Sequence, residues 1–266
     1  MTSLGSLSGK TRVFFIVGDP IAQVQAPSGV TAELHRRGHD AIVVPIQVAA
    51  SEVDAFLRVA TNLKNVDGIF ATVPHKQAAY RHCSSTTPRA AFTSSANLLR
   101  RDATGGWHGD MSDGAGFIAA LRNAGFEPRG KRVSQAGVGG AGAAIAYSLL
   151  EAGVSVLALH DQDPARQHAV LAKLNEAFPG KAITGSMDPD GFDLIANATP
   201  AGMRPDDPLP FRAETLDRRA FVGDVITLPE VTPLLAAARR AGCGTATGVD
   251  MFRASLAVMV DFMTGR

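Results

Sequence analysis

Gly137-Val138-Gly139-Gly140-Ala141-Gly142 meets a G-x-G-x-x-G spacing at all three glycines. The run stands between a strand-like segment at 132–136 and an apolar helical segment at 141–152. That setting gives the spacing a physical meaning. Glycine allows a tight turn and a close backbone approach to a pyrophosphate, whose charge a helix N-terminus favours. The plainer alternative is a tight strand-to-helix turn that holds nothing. Two features count against it. Residues 154–160 read as the second buried strand that such a unit requires. Asp161 ends that strand, 24 positions after Gly137, close to the offset of about 20 residues for an acid that binds an adenosine ribose. The residues expected to hold a dinucleotide are therefore Gly137, Gly139, Gly140, Ala141, Gly142 and Asp161. Ser134-Gln135 interrupts the apolar run of the first strand, so Gln135 must find partners or lie on an open face.

Asp161 also bears on which dinucleotide is bound. In Asp161-Gln162-Asp163, carboxylates stand where a 2′-phosphate would need a cation. The nearest candidate, Arg166, lies several residues into the next helix. A carboxylate accepts hydrogen bonds from free ribose hydroxyls and repels a phosphate, so NAD is expected ahead of NADP, with NADP still possible.

The rest of the chain reads as alternating strands and helices. Strands are expected at 13–17, 41–45 and 66–73, with helices at 29–38 and 51–60, the latter starting at Ser51 as a cap. This order implies a mostly parallel α/β sheet. A second block has helices at 114–124, 141–152, 165–177, 232–241 and 251–263, and strands at 132–136, 154–160, 192–196 and 220–226. The two units join near residue 112, and the polar Pro/Gly connector at 126–131 is a candidate boundary. The first ten residues look like a loose tail with no apolar signal segment.

The length of 266 residues suffices for two domains. With 26 Lys+Arg against 25 Asp+Glu there is no basic excess for a nucleic-acid partner. No run approaches the ~18–20 apolar residues of a membrane span. Cys83 and Cys243 cannot build a disulfide framework, so a cytoplasmic setting is expected. The 7 histidines and 2 cysteines show no metal-ligand spacing.

Three polar signals mark the first block: Thr72-Val73-Pro74-His75-Lys76, Asn97, and Gly109-Asp110-Met111-Ser112-Asp113-Gly114. Lys76 follows a strand end, where α/β sheets build their sites, but an ordinary solvated lysine is the plain alternative. Asp113 opens a helix and could be only its cap. His75 and His108 read as surface residues.

Taken in order with Gly18-Asp19-Pro20-Ile21-Ala22, Asn197-Ala198-Thr199-Pro200-Ala201-Gly202-Met203, and Asp224 through Thr232-Pro233-Leu234, these signals resemble the shikimate dehydrogenase family over almost the whole chain. The resemblance implies an N-terminal α/β substrate-binding catalytic domain over residues 1–110, completed by a C-terminal helix within 246–266. That domain would face, across a cleft, a C-terminal Rossmann dinucleotide-binding domain over 111–245. It implies an NAD(P)-dependent alcohol dehydrogenase in which Lys76 and Asp113 form the acid–base pair. Burial disfavours an ammonium, so a lysine in a closed cleft can exchange a proton near neutrality. Thr72 and Asn97 match positions that bind substrate hydroxyls. Asn197, Ala198, Thr199 and Val225 match positions that line the cofactor, and Gly248 is carried over with them.

The substrate pocket departs from the family. Its S-x-S-P motif reads Val24-Gln25-Ala26-Pro27 here, so both hydroxyls that hold a carboxylate are missing. The family tyrosine falls at Thr227, the C-terminal glutamine at Ser255, and Phe70 stands in place of an asparagine. Each lost hydrogen bond to a charged group costs ~1.5–3 kcal/mol, so shikimate binding should weaken by orders of magnitude. Gln25 or Arg253 is a candidate replacement donor. The expected activity is hydride transfer on shikimate, quinate or another cyclic hydroxy acid or polyol, by a monomer or homodimer without nucleic-acid or membrane partners. The alternatives are a catalytically silent NAD(P)-dependent sensor and a purely structural α/β protein.

Overall fold

The computed structural model describes residues 7–22 and 24–265. Of the expected loose tail, residues 1–6 lie outside the described residues, while a turn closes with Thr11 N donating to Ser8 O at 3.1 Å.

β-branched and aromatic residues make β1 (Arg12–Gly18) a strand, and β2 (Ala41–Gln47) and β3 (Val66–Ala71) flank it in parallel. Between them run α1 (Ala26–Arg36) and α2 (Val53–Thr61). Then follow α3 (Lys76–Arg81), β4 (Ser85–Thr86), α4 (Pro88–Thr93), β5 (Leu98–Arg101) and β6 (Trp107–Asp110). The sheet order is β2-β1-β3-β5-β6-β4. Pro45 is tolerated inside β2 because that strand is an edge. β5 is antiparallel to both β3 and β6, so the expected parallel sheet holds for the first three strands and turns mixed beyond them.

Helix starts also move. α1 begins at Ala26 rather than residue 29, with Pro27 in its first turn. α2 begins after Glu52, so Ser51 is not its cap. The apolar face of this sheet is packed by Val17, Leu57, Ile69, Leu99 and Trp107. Arg101 lies over the Trp107 ring at 4.5 Å. Its guanidinium donates to the carbonyls of Ala60, Thr61, Leu63, Val66 and Gly105. It thereby closes the C-terminal end of α2, whose last carbonyls have no partner inside the helix.

The second unit holds α5 (Asp113–Asn123), β7 (Arg132–Ala136), α6 (Gly140–Glu151), β8 (Val156–His160), α7 (Pro164–Ala177), β9 (Ala182–Thr184), β10 (Leu194–Asn197), β11 (Phe221–Asp224), α8 (Pro233–Ala241) and β12 (Gly244–Ala246). Its six strands lie β12-β11-β10-β7-β8-β9, every pair parallel. Counted from β7, this is the 3-2-1-4-5-6 order of the Rossmann fold, with its switch point between β7 and β10.

The chain divides between Ser112 and Asp113, and α9 (Gly248–Thr264) divides again, from Leu256 onward belonging to the first unit. The 126–131 connector is therefore no boundary. A side chain at Gly114 would lie 2.2 Å from the Ala144 carbonyl, and this close approach commits α5 to α6 and the second unit.

Candidate active site

The carboxyl ends of β7, β8, β10 and β11 carry the loops where open α/β sheets bind ligands. Gly137 leaves β7 with φ +89°, and a Cβ there would lie 2.7 Å from the Ala198 carbonyl. A Cβ at Gly142 would lie 2.3 Å from the Gly137 carbonyl, so packing alone demands both glycines. Gly139 and Gly140 are different. A Cβ on either meets nothing within 4 Å. The open face they leave, at the start of α6, is the room a pyrophosphate needs, and the residues present fit a dinucleotide.

Behind the loop Asp161 is buried. Its carboxylate accepts from Val138 N at 2.8 Å, Asp163 N at 2.9 Å and the Arg166 guanidinium at 2.7 Å. Burial works against the charge, but Arg166 and the two backbone donors prevail and hold the carboxyl below its ordinary pKa. Arg166 is only the third residue of α7, and its side chain turns back to the strand end. The distance suggested by its place in the sequence is corrected: the cation stands beside Asp161, in an ion pair with it.

Asn197 ends β10 opposite Asp224, which ends β11. Both are fully buried. The Asn197 amide donates to Ala201 O at 3.2 Å and Asp224 Oδ2 at 3.1 Å, and its Oδ1 accepts from Thr199 N and Oγ1 at 3.0 and 2.6 Å. Asn197 therefore shapes the 197–201 loop through its own side chain, while Ala198 and Thr199 are half-buried. Asp224 also accepts from Ile226 N and from the Thr232 hydroxyl that caps α8. Burial raises its pKa against those donors. Val225 follows, half-buried, and a Cβ on Gly248 would lie 2.4 Å from the Val225 carbonyl, so only glycine starts α9 there.

In the first unit Thr72 leaves β3 packed on Gly18, where a Cβ would lie 2.5 Å from the Thr72 methyl. His75 closes the turn through its N–H to Thr72 O at 2.8 Å. Its ring is buried, 1% exposed, with Nε2 2.7 Å from Val48 O. The surface reading of His75 is thus overturned: the carbonyl can only accept, so the imidazole donates and pins the turn. His108 is half-buried, stacked on Phe262 with 5.6 Å between centroids.

Lys76, half-buried, is the first residue of α3, and its carbonyl accepts from Ala96 N at 2.9 Å. Asn97 is buried against Ser112, whose N–H donates to Oδ1 at 2.9 Å while Nδ2 lies 3.1 Å from Oγ. Asp110, fully buried, is gripped by Arg89 at 2.7 and 2.5 Å and by Thr87 at 2.6 Å. Sequence reasoning passed over Arg89 and Ser112; the polar run ending at Asp113 was the available signal.

Val24 is half-buried, Ala26 buried and Thr227 exposed. Ser255 is buried in the second unit, its hydroxyl donating to Met251 O at 2.7 Å, and a Cβ on Gly116 would lie 2.0 Å from it. Asp113 opens α5, also in the second unit. Among the described residues no three His, Cys, Asp or Glu side chains gather to hold a metal, and no helix is long and apolar enough to cross a membrane.

The parallel sheet order, the open glycine loop and the acid that follows β8 define a Rossmann-type, dinucleotide-binding α/β protein with a second α/β unit before it. The profile of the shikimate dehydrogenase substrate binding domain matches residues 16–99. Shikimate dehydrogenase (NADP(+)) of Rubrobacter xylanophilus is 32% identical over 92% of this chain and 88% of its own. The chain belongs to the shikimate dehydrogenase family. Among solved structures, ligand-free 5-ketofructose reductase of Gluconobacter sp. superposes with a TM-score of 0.89 at 28% identity, covering 97% of this chain and 95% of that one. Quinate dehydrogenase from Corynebacterium glutamicum in complex with NAD gives 0.85 at 26%, covering 96% and 94%.

Proposed function

We propose that this chain is an NAD-preferring oxidoreductase that interconverts a secondary alcohol and a ketone on a polyhydroxylated substrate. The observation that carries this reading is the open-faced loop at Gly139 and Gly140 with Asp161 behind it, in a chain of this family. When bound, the dinucleotide supplies a hydride acceptor or donor. The second unit would hold it, with the N–H groups at the start of α6 available to the pyrophosphate and Asp161 available to a ribose hydroxyl. Three donors already occupy Asp161, and a carboxylate has about four acceptor sites. A hydroxyl can use what remains, whereas a 2′-phosphate would meet the carboxylate's charge and would have to draw Arg166 away from it.

The first unit, completed by the end of α9, holds the substrate. As hydride leaves the carbon, the hydroxyl proton must leave the oxygen, and Lys76 takes it there. Thr72 and Asn97 align the neighbouring hydroxyls. The Ser112 bonds aim the Asn97 amide. The positions that would anchor a carboxylate carry Val24 and Ala26, which have no side-chain donor. This supports a substrate recognised through hydroxyls, with the acid group weakly held or absent. In the same direction, the Gluconobacter neighbour is named for a keto sugar. Cys83 and Cys243 are free thiols, which suits a cytoplasmic setting.

Steady-state kinetics with shikimate, quinate and a neutral keto sugar, each with both dinucleotides, test the proposal. The expected outcome is turnover with the neutral substrate above either acid and a lower KM for NAD than for NADP. Dinucleotide binding without turnover across the panel would make the chain a sensor; a lower KM for NADP would overturn the role given to Asp161.

A further inference from the structure

Gln135 is the fourth residue of β7, paired with Ala196 and Leu159 on the neighbouring strands, and it is completely buried. An apolar residue would suit that place better. The Gln135 amide nitrogen donates to Gly137 O and to Gly142 O, both at 2.8 Å. Both acceptors are carbonyls, so the amide has only one workable orientation. In that orientation its oxygen is buried with no partner. A buried unpaired acceptor destabilises the folded chain.

The two carbonyls lie at opposite ends of the glycine loop, one leaving β7 and the other in the first turn of α6. Gln135 therefore ties the loop shut from beneath. The Gly137 carbonyl shares a planar peptide unit with the Val138 N–H, and in a trans peptide the two point in opposite directions. Gln135 holds one end of that unit, and Asp161 accepts from the other at 2.8 Å. Turning the peptide would lose both bonds together.

We infer that Gln135 is a positioning residue for the dinucleotide: it sets the plane of the 137–138 peptide and, through it, the place of the Asp161 carboxylate. This rests on the function proposed above. It accounts for the cost of a half-satisfied amide in a strand core: the residue is there for the loop, not for the fold.

The test replaces Gln135 by Leu, and by Met as a second, more adaptable apolar variant, in the full chain. Thermal unfolding without ligand is measured alongside KM and kcat, with NAD as the varied dinucleotide. The expected result is an unliganded melting temperature close to that of the parent, since removing the unpaired oxygen offsets the two lost donated bonds, a KM for NAD raised about tenfold to a hundredfold, and kcat and substrate KM within about threefold. A further expected sign is that the preference for NAD over NADP narrows, because Asp161 loses the fixed Val138 N–H among its three donors. An unchanged KM for NAD in the variant that folds overturns the inference, as does a lowered melting temperature in both variants with kcat and both KM values intact. If the parent chain binds neither dinucleotide, the functional reading itself fails, and this inference with it.

Discussion

At Asp161 a buried carboxylate stays charged because a guanidinium and two backbone N–H groups reach it. In the function proposed above, that charge favours a ribose hydroxyl over a phosphate, and a phosphate would have to draw Arg166 away from it. Asp161→Asn removes the repulsion and loosens Arg166. We expect the KM ratio of NADP to NAD to fall about tenfold, the equivalent of one charge-assisted hydrogen bond of roughly 1.5 kcal/mol. Initial rates with the two dinucleotides measure it, and an unchanged ratio would show that Asp161 does not discriminate. The acid was legible from its distance along the chain, since a strand end and a glycine loop have a fixed geometry. Arg166 was not, because side-chain direction decides its reach, and position in a helix says nothing of where a long side chain turns. Gln135 stood out for the opposite reason: a polar residue in an apolar strand had to have partners, though only coordinates name them. His75 went astray because a histidine beside proline in a turn carries no sign of the carbonyl that buries it.

Among the elements, α1 shows how charge ties a helix to its surroundings. Glu33 accepts from Arg36 and Arg37, and Arg37 also reaches Asp261 on the last stretch of α9. Arg36, opposed by desolvation and aided by Arg37, brings the Glu33 carboxyl down to about 2. A depressed carboxylate pKa contributes stability that is fully present above the unfolded value, near 4.3. That contribution is lost as pH falls from there toward 2. Glu33→Gln should therefore lower the urea midpoint at pH 7 and flatten its decline between pH 5 and 2; an identical pH slope in both proteins would contradict the assignment.

The longer strands and helices were readable from periodicity. β4, β9 and β12, of 2, 3 and 3 residues, were not, because so short a segment shows no pattern and exists only where a neighbour strand pairs with it. The join near residue 112 and the helix after it were legible to within a residue; what the sequence left unread is that Gly114 and Gly116 are where α6 and α9 pack on α5.

For the molecule as a whole, two sheets of different design serve one proposed reaction. The second unit is the more legible, since its strand order follows from the alternation of strand and helix and from right-handed crossovers. The first unit turns antiparallel at β5, where short polar strands concealed the change. Substrate identity was the least legible property: the loss of two hydroxyls at Val24 and Ala26 says what is not held, and the rebuilt contact cannot be read from spacing. In the proposed reaction Lys76 of the first unit moves the proton while the second unit binds the dinucleotide without it. The most direct measurement is therefore Lys76→Ala, with NADH binding followed by fluorescence and kcat measured on the best substrate of the panel. The expected outcome is a kcat lowered about 10³-fold with the NADH dissociation constant unchanged; turnover near that of the parent chain would remove Lys76 from the proton transfer.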